Sequence, residues 1–210
     1  MTKPSSWYSS FTYKPKGAIL KQKRNARATK SLIFEACKRV LETKGSRGLT
    51  LDAVAEEAGL SKGGLLYHFP NKERLVQELF EHVIGYFDEQ IERICEQEEN
   101  AKGSYLRAYA RGSIEQVLDP GIAKFLASLF ASVDEFPWVH GFMQEKYVEW
   151  QAKIETAGVD PVKASLFRLT IDGMWFTEMF QYAPPSDERR TEVLNLLFDL
   201  VLNSKKEVDT

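Results

Sequence analysis

The side chains of this 210-residue chain best suited to chemistry are donors gathered in one short stretch, namely Lys62, Tyr67 and His68, with Lys72 just beyond. An ammonium, a phenol and an imidazole share the ability to donate hydrogen bonds to phosphate oxygens and to the edges of bases. Gly63 and Gly64 follow the first of them, and their missing side chains allow a polyanion close to the backbone. Each glycine costs a helix about 1 kcal/mol, so a helix built only for packing seldom places two together. Catalysis finds little support by comparison. The histidines are His68, His82 and His140, and there is no phosphate loop, no GxSxG and no paired metal-ligand motif. Asp134-Glu135 and 96–99 fit solvated helix ends better than working carboxylates. No catalytic residue, metal or cofactor is expected.

The elements that must position the donors are legible from the same stretch. Thr50 caps a short helix whose buried face carries Val54, Ala55 and Ala58, and Gly59 stands where that helix must turn back. Ser61 caps the next helix, which Pro70 stops after about two turns. Ala55 lets the two helices cross closely, with Leu60 and Leu65 filling the space beneath. Asn71 caps a third helix with Lys72 in its first turn, where a cation opposes the helix dipole unless an anion such as a DNA phosphate lies nearby. This is a helix-turn-helix layout, whose second helix enters the major groove. The plain alternative is a helical hairpin with a solvated lysine at its tip.

Residues 27–75 resemble the DNA-binding head of the TetR family of bacterial transcriptional regulators, and Ser61-Lys62-Gly63-Gly64-Leu65-Leu66-Tyr67-His68-Phe69-Pro70-Asn71-Lys72 is similar to that family's recognition-helix signature. The resemblance covers about a quarter of the chain. It implies a DNA-facing set of Thr50, Leu51, Ser61, Lys62, Gly63, Gly64, Tyr67, His68 and Lys72. It also implies a variable sensor body and a dimer joined through the last two helices.

Charge is divided in the way such a protein needs. Residues 1–74 hold fifteen lysines and arginines against six acids, whereas 75–210 hold thirteen against twenty-four. A basic head on an acidic body suits contact with nucleic acid at one end only. No acid precedes Glu35, so 1–20 is either a disordered tail or a basic arm reaching DNA. Cys37 and Cys95 form no CxxC pair and fall at apolar helical positions, as buried thiols do. No stretch approaches the ~20 apolar residues of a membrane span, and no signal-peptide pattern opens the chain. A cytoplasmic protein without membrane contact is expected.

The expected fold is all-α. A flexible basic arm (1–20) precedes a helix-turn-helix domain (21–75), and a long helix leads into a ligand-binding and dimerisation domain (76–210). The first helix should start within 21–27 and end at Lys44 before Gly45, and the linking helix should run over 72–98. Helices are expected in the body at 103–118, 122–133, 138–157, 162–182 and 186–202. In the penultimate helix Val162, Leu166, Leu169, Gly173, Phe176 and Phe180 form a sustained seam, yet Phe167, Ile171, Met174 and Trp175 make other faces apolar too. A helix apolar on several sides is buried on several sides, so one face should meet a partner subunit. The interface set is Leu166, Gly173, Phe176, Phe180, Leu194, Leu197, Phe198 and Val201. Aromatic and methionine residues concentrate in the body, which suggests a ligand pocket formed by Phe125, Leu129, Trp138, Phe142, Trp150, Asp172, Trp175 and Met179. Arg168 and Glu178 are further candidates for a polar end. Plain core packing is the alternative for each of these residues.

The reading is a dimeric repressor that binds a palindromic DNA operator and is released by a small apolar or amphipathic effector. The alternative is a helix-turn-helix dimer controlled by a protein partner.

Overall fold

The computed structural model describes residues 18–99, 101–117, 119–131 and 136–203, and among them it is all helix and turn, without a strand. The head comprises α1 (Ala18–Gly48), α2 (Leu51–Glu57) and α3 (Lys62–His68). Local chemistry sets each boundary. Gly45 leaves the helical region at φ 68°, so α1 is regular only as far as the predicted stop and closes with one offset turn. Thr50, Ser61 and Asn71 each accept the backbone N–H three residues on, at 3.1, 3.1 and 2.8 Å, and these three caps start α2, α3 and α4 (Lys72–Gln97). Gly59 takes φ 65° between α2 and α3, the left-handed backbone that the reversal requires. Ile33, Cys37, Leu41, Val54, Leu65 and Phe69 are fully buried and form the head's core.

The long helix α4 binds head to body. Near its start Glu78 accepts Lys30 of α1 at 2.5 Å and Arg74 at 2.9 Å. Further along, Val76, Phe80, Val83, Phe87, Ile91 and Ile94 are all buried, as their spacing predicts. The body adds α5 (Ser104–Val117), α6 (Pro120–Ala131), α7 (Trp138–Glu155), α8 (Pro161–Phe180) and α9 (Asp187–Phe198), and the chain then widens into a π-helical turn, Asp199–Asn203. In the body α5 packs between α4 and α8, α7 packs on α8, and α6 lies on α1.

That last contact makes a second tie between head and body. A Cβ at Gly121 would stand 2.9 Å from Glu42 Cγ and 3.2 Å from the Lys38 carbonyl, so glycine permits the approach. Asp119 caps α6 through the N–H groups of Gly121 and Ile122, and its other oxygen pairs with Lys38. Here the structure corrects the expected helix start. Asp119-Pro120 acts as cap and first-turn residue rather than as a break, so α6 begins two residues before 122. Its expected end at 133 and most of the arm (1–17) lie outside the described residues, and 18–20 belong to α1 rather than to the arm. Cys37 and Cys95 are free and buried, and burial pushes the Cys37 thiol up to about 12.

Candidate nucleic-acid interface and internal cavity

The exposed face of α3 carries the expected donors. Tyr67 is 81% exposed and meets the half-buried His68 edge-on at 5.2 Å, while Leu65 beneath them is fully buried. A Cβ at Gly63 would touch nothing within 4 Å, so protein packing does not demand a glycine there. At Gly64 a Cβ would stand 3.3 Å from the Ser61 Oγ that caps the helix, so this glycine also eases the cap. Lys72 is exposed at the start of α4, Thr50 and Ser61 are exposed caps, and Leu51 is half-buried. Lys62 is exposed too, but Asp52 of α2 holds its ammonium at 2.9 Å. That pairing was not foreseen, although both residues stand in first turns of adjacent helices.

Inside the body a cavity of about 20 Å³ lies among Ile84 and Phe87 of α4, Tyr109, Ser113 and Gln116 of α5, Met143, Tyr147 and Trp150 of α7, and Asp172 and Trp175 of α8. Its volume matches about one water molecule. Asp172 is its charged member. One carboxylate oxygen accepts the Tyr109 hydroxyl at 2.6 Å and the other accepts Arg168 at 2.7 Å. Burial raises the Asp172 carboxyl above its ordinary range against the pull of these two donors, and burial with the nearby carboxylate raises the Tyr109 phenol. The indole N–H of Trp175 donates to Gln116 at 3.1 Å, and that of Trp150 donates to Asp88 at 2.7 Å.

Three of the eight expected pocket residues, Trp150, Asp172 and Trp175, line this cavity, and five do not. Trp138 and Phe142 pack edge-on against Phe80 of α4, at 5.6 and 5.4 Å. Phe125 and Leu129 are buried on α6, and Met179 is buried near the end of α8. Two of these rings pack on the core helix α4 and the other three side chains are buried, so aromatic richness alone does not separate a pocket wall from core. Glu178 is taken by Arg190 of α9 and does not line this cavity. Tyr109, Ser113 and Gln116 escaped the sequence reading. Their spacing of four and three puts three polar-tipped side chains on one face of α5, a signal overlooked beside the more conspicuous tryptophans.

The α8 seam divides the helix as expected. Ala164, Phe167, Ile171 and Met174 are buried within the subunit, whereas Val162, Leu166, Leu169 and Phe176 are 77, 46, 59 and 46% exposed, with Gly173 exposed among them. Phe180 is half-buried and stacks on Tyr182 at 5.6 Å. The α9 set needs correction. Leu197 and Val201 are buried in their own subunit, and Phe198 packs on Phe167 at 5.4 Å, with Leu194 half-buried. The subunit's core takes the broadest apolar stripe first, and Leu196 and Leu200 are the exposed apolar residues left on that segment.

Among the described residues no cluster of three metal-binding side chains occurs, and no helix is long and apolar enough to cross a membrane. Residues 33–79 match the family of bacterial regulatory proteins named for tetR, and 103–202 match the tetracyclin repressor-like C-terminal domain. The regulator TtgR of Pseudomonas putida is 36% identical over 63 residues, a match spanning 30% of this chain and 30% of that protein. A transcriptional regulator from Rhodococcus sp. Rha1 shares the fold at a TM-score of 0.67 and 17% identity, over 86% of this chain and 99% of that one. SmeT, solved as a triclosan complex, does so at 0.61 and 21%, over 87% and 95%. The head's caps and exposed α3, the all-helical body and these matches agree: the chain belongs to the TetR family of helix-turn-helix, DNA-binding transcriptional regulators.

Proposed function

We propose that the protein is a ligand-responsive repressor that binds a palindromic operator as a homodimer in the cytoplasm. In this reading residues 21–75 touch DNA and 76–210 sense and dimerise. The observation that carries the reading is the double duty of α4. Its first turn presents Lys72 beside the exposed face of α3, and three turns later its Ile84 and Phe87 form one wall of the cavity. A change in the cavity that tilts α4 therefore moves the head, and two heads must reach successive major grooves about 34–36 Å apart. A displacement of a few ångströms is enough to break that match.

Dimerisation is supported by the α8 seam, an exposed apolar strip at helix-pairing spacing, and by the exposed Leu196 and Leu200 on the last helical segment. Two copies of α8 and α9 would cover it in a four-helix interface about a twofold axis. The effector is expected to be small and apolar or amphipathic, because rings and aliphatic chains make up most of the wall. At about 20 Å³ the cavity must enlarge to admit it, and rotation of Trp175 and Tyr147 about their side-chain bonds is the simplest route.

Sequencing of the DNA bound by the protein in its native host tests the reading. Enrichment of an inverted repeat near promoters, relieved when an effector is supplied, is the expected result. Binding spread without sequence preference would overturn it.

A further inference from the structure

The cavity's wall also indicates the charge of its ligand, an inference that rests on the sensor reading above. Tyr109, Tyr147, Trp150 and Trp175, with Phe87, surround a space in which Asp172 is the charged lining residue. Aromatic faces are electronegative and attract cations, most strongly when water is excluded. Phe87, Tyr109 and Trp150 lie edge-to-face at 5.1–6.0 Å, and Tyr147 meets Trp150 at 5.2 Å, so the rings form one connected wall. We propose that the effector is an amphipathic organic cation, an ammonium or amidinium joined to an apolar group, whose charge is received by Asp172 within this aromatic wall.

Arg168 occupies one oxygen of Asp172 in the structure, and its other contacts explain how it can yield. Its Nε also donates to Gln151, and its guanidinium lies 5.5 Å from the ring centre of Tyr147. Releasing Asp172 therefore costs Arg168 one ion pair and leaves it the Gln151 bond, outside the cavity lining, and the Tyr147 ring, which is part of the lining. Tyr109 meanwhile keeps the other oxygen oriented. An anion meets the reverse situation, because Asp172 lies in the wall and Arg168 is not part of it. The acidic balance of 75–210 adds a field that concentrates cations around the body.

Three probes of similar size and different charge separate the outcomes: phenyltrimethylammonium, tert-butylbenzene and benzenesulfonate. Each is titrated against the full-length dimer while tryptophan fluorescence and release of bound DNA are followed. The cation is expected to bind at least ten-fold more tightly than its neutral isostere, with the sulfonate weakest. Asp172→Asn should remove most of that preference and leave tert-butylbenzene binding within two-fold. Tyr147→Leu, which leaves the carboxylate intact, should weaken the cation more than the neutral probe. It keeps the proposal testable if Asp172→Asn fails to fold. Tighter binding of the neutral or anionic probe, with DNA release, would overturn the cation assignment and leave the sensor reading standing. Failure of all three probes to alter either fluorescence or DNA binding would overturn both.

Discussion

The head and the body are both helical, but ring packing is far denser in the body. In the head, boundaries come from single residues acting on their own backbone. Three capping side chains and two left-handed glycines place α2, α3 and the start of α4. In the body side-chain caps also start α6 at Asp119, α8 at Asp160 and α9 at Ser186, but α7 begins without one, at Trp138, where rings pack its first turn against Phe80 and Phe136. In the head the exposed α3 stands on one small core, whereas in the body a connected set of rings borders the small cavity. That contrast fits the proposed roles of a DNA-reading head and a sensing body.

The largest effect is expected at the proposed dimer seam, which belongs to neither subunit's core. Phe176→Glu replaces a side chain that is 46% exposed in the single subunit, so the subunit should fold. Pairing would then bury an uncompensated carboxylate, at a cost of about 3–5 kcal/mol. Sedimentation should show a dimer for the parent and folded monomers for the variant. A variant that stays dimeric at micromolar concentration would remove α8 from the interface.

Next comes the core of the head. Leu65 is fully buried under α3, and Leu65→Ala should cost about 2–5 kcal/mol. The loss should fall on the head. DNA binding would weaken while the fluorescence of Trp138, Trp150 and Trp175, all in the body, stays native until the main unfolding transition. Loss of head and body together in denaturation would mean that the two form one cooperative unit. Ser61→Ala is milder, at about 1 kcal/mol for a lost cap, and should raise amide exchange in α3 more than in α7.

Smaller effects sharpen the DNA face. Lys72→Ala should weaken binding to operator and random duplex alike and lower the salt slope by about one unit. An unchanged affinity at every salt concentration would take Lys72 off the interface. Asp52→Asn should act in the opposite direction. Freeing Lys62 from an exposed pair worth about 0.2–1 kcal/mol should strengthen nonspecific binding a few-fold, measured by anisotropy with random duplex.

What the sequence made legible follows the same division. Caps, turn glycines and the α3 donors were readable because each acts within a few residues of itself. The α8 seam was readable because its spacing persists along the whole helix. The cavity was harder. Asp172 and the tryptophans stand out in sequence, but which rings face a void depends on how α5, α7 and α8 meet across some sixty residues, as in the Tyr109–Asp172 bond. On α9 the apolar stripe was visible but its partner was not, since Leu197 and Val201 fit a subunit core and a dimer interface equally well by type. The Lys62–Asp52 pair is a similar case, set by the angle between two short helices.

The proposed function stands on paired heads that read DNA through α3. Selection from a random duplex library by the full-length protein tests it most directly, with the stoichiometry of the selected complex measured by sedimentation. The expected result is an inverted repeat whose half-site centres lie about one helical turn apart or a multiple of it, with the protein bound as a symmetric pair. Tyr67→Ala, which removes an exposed donor from α3, should lower the enrichment. A library that returns no preferred sequence, or a single half-site held by one subunit, would contradict it.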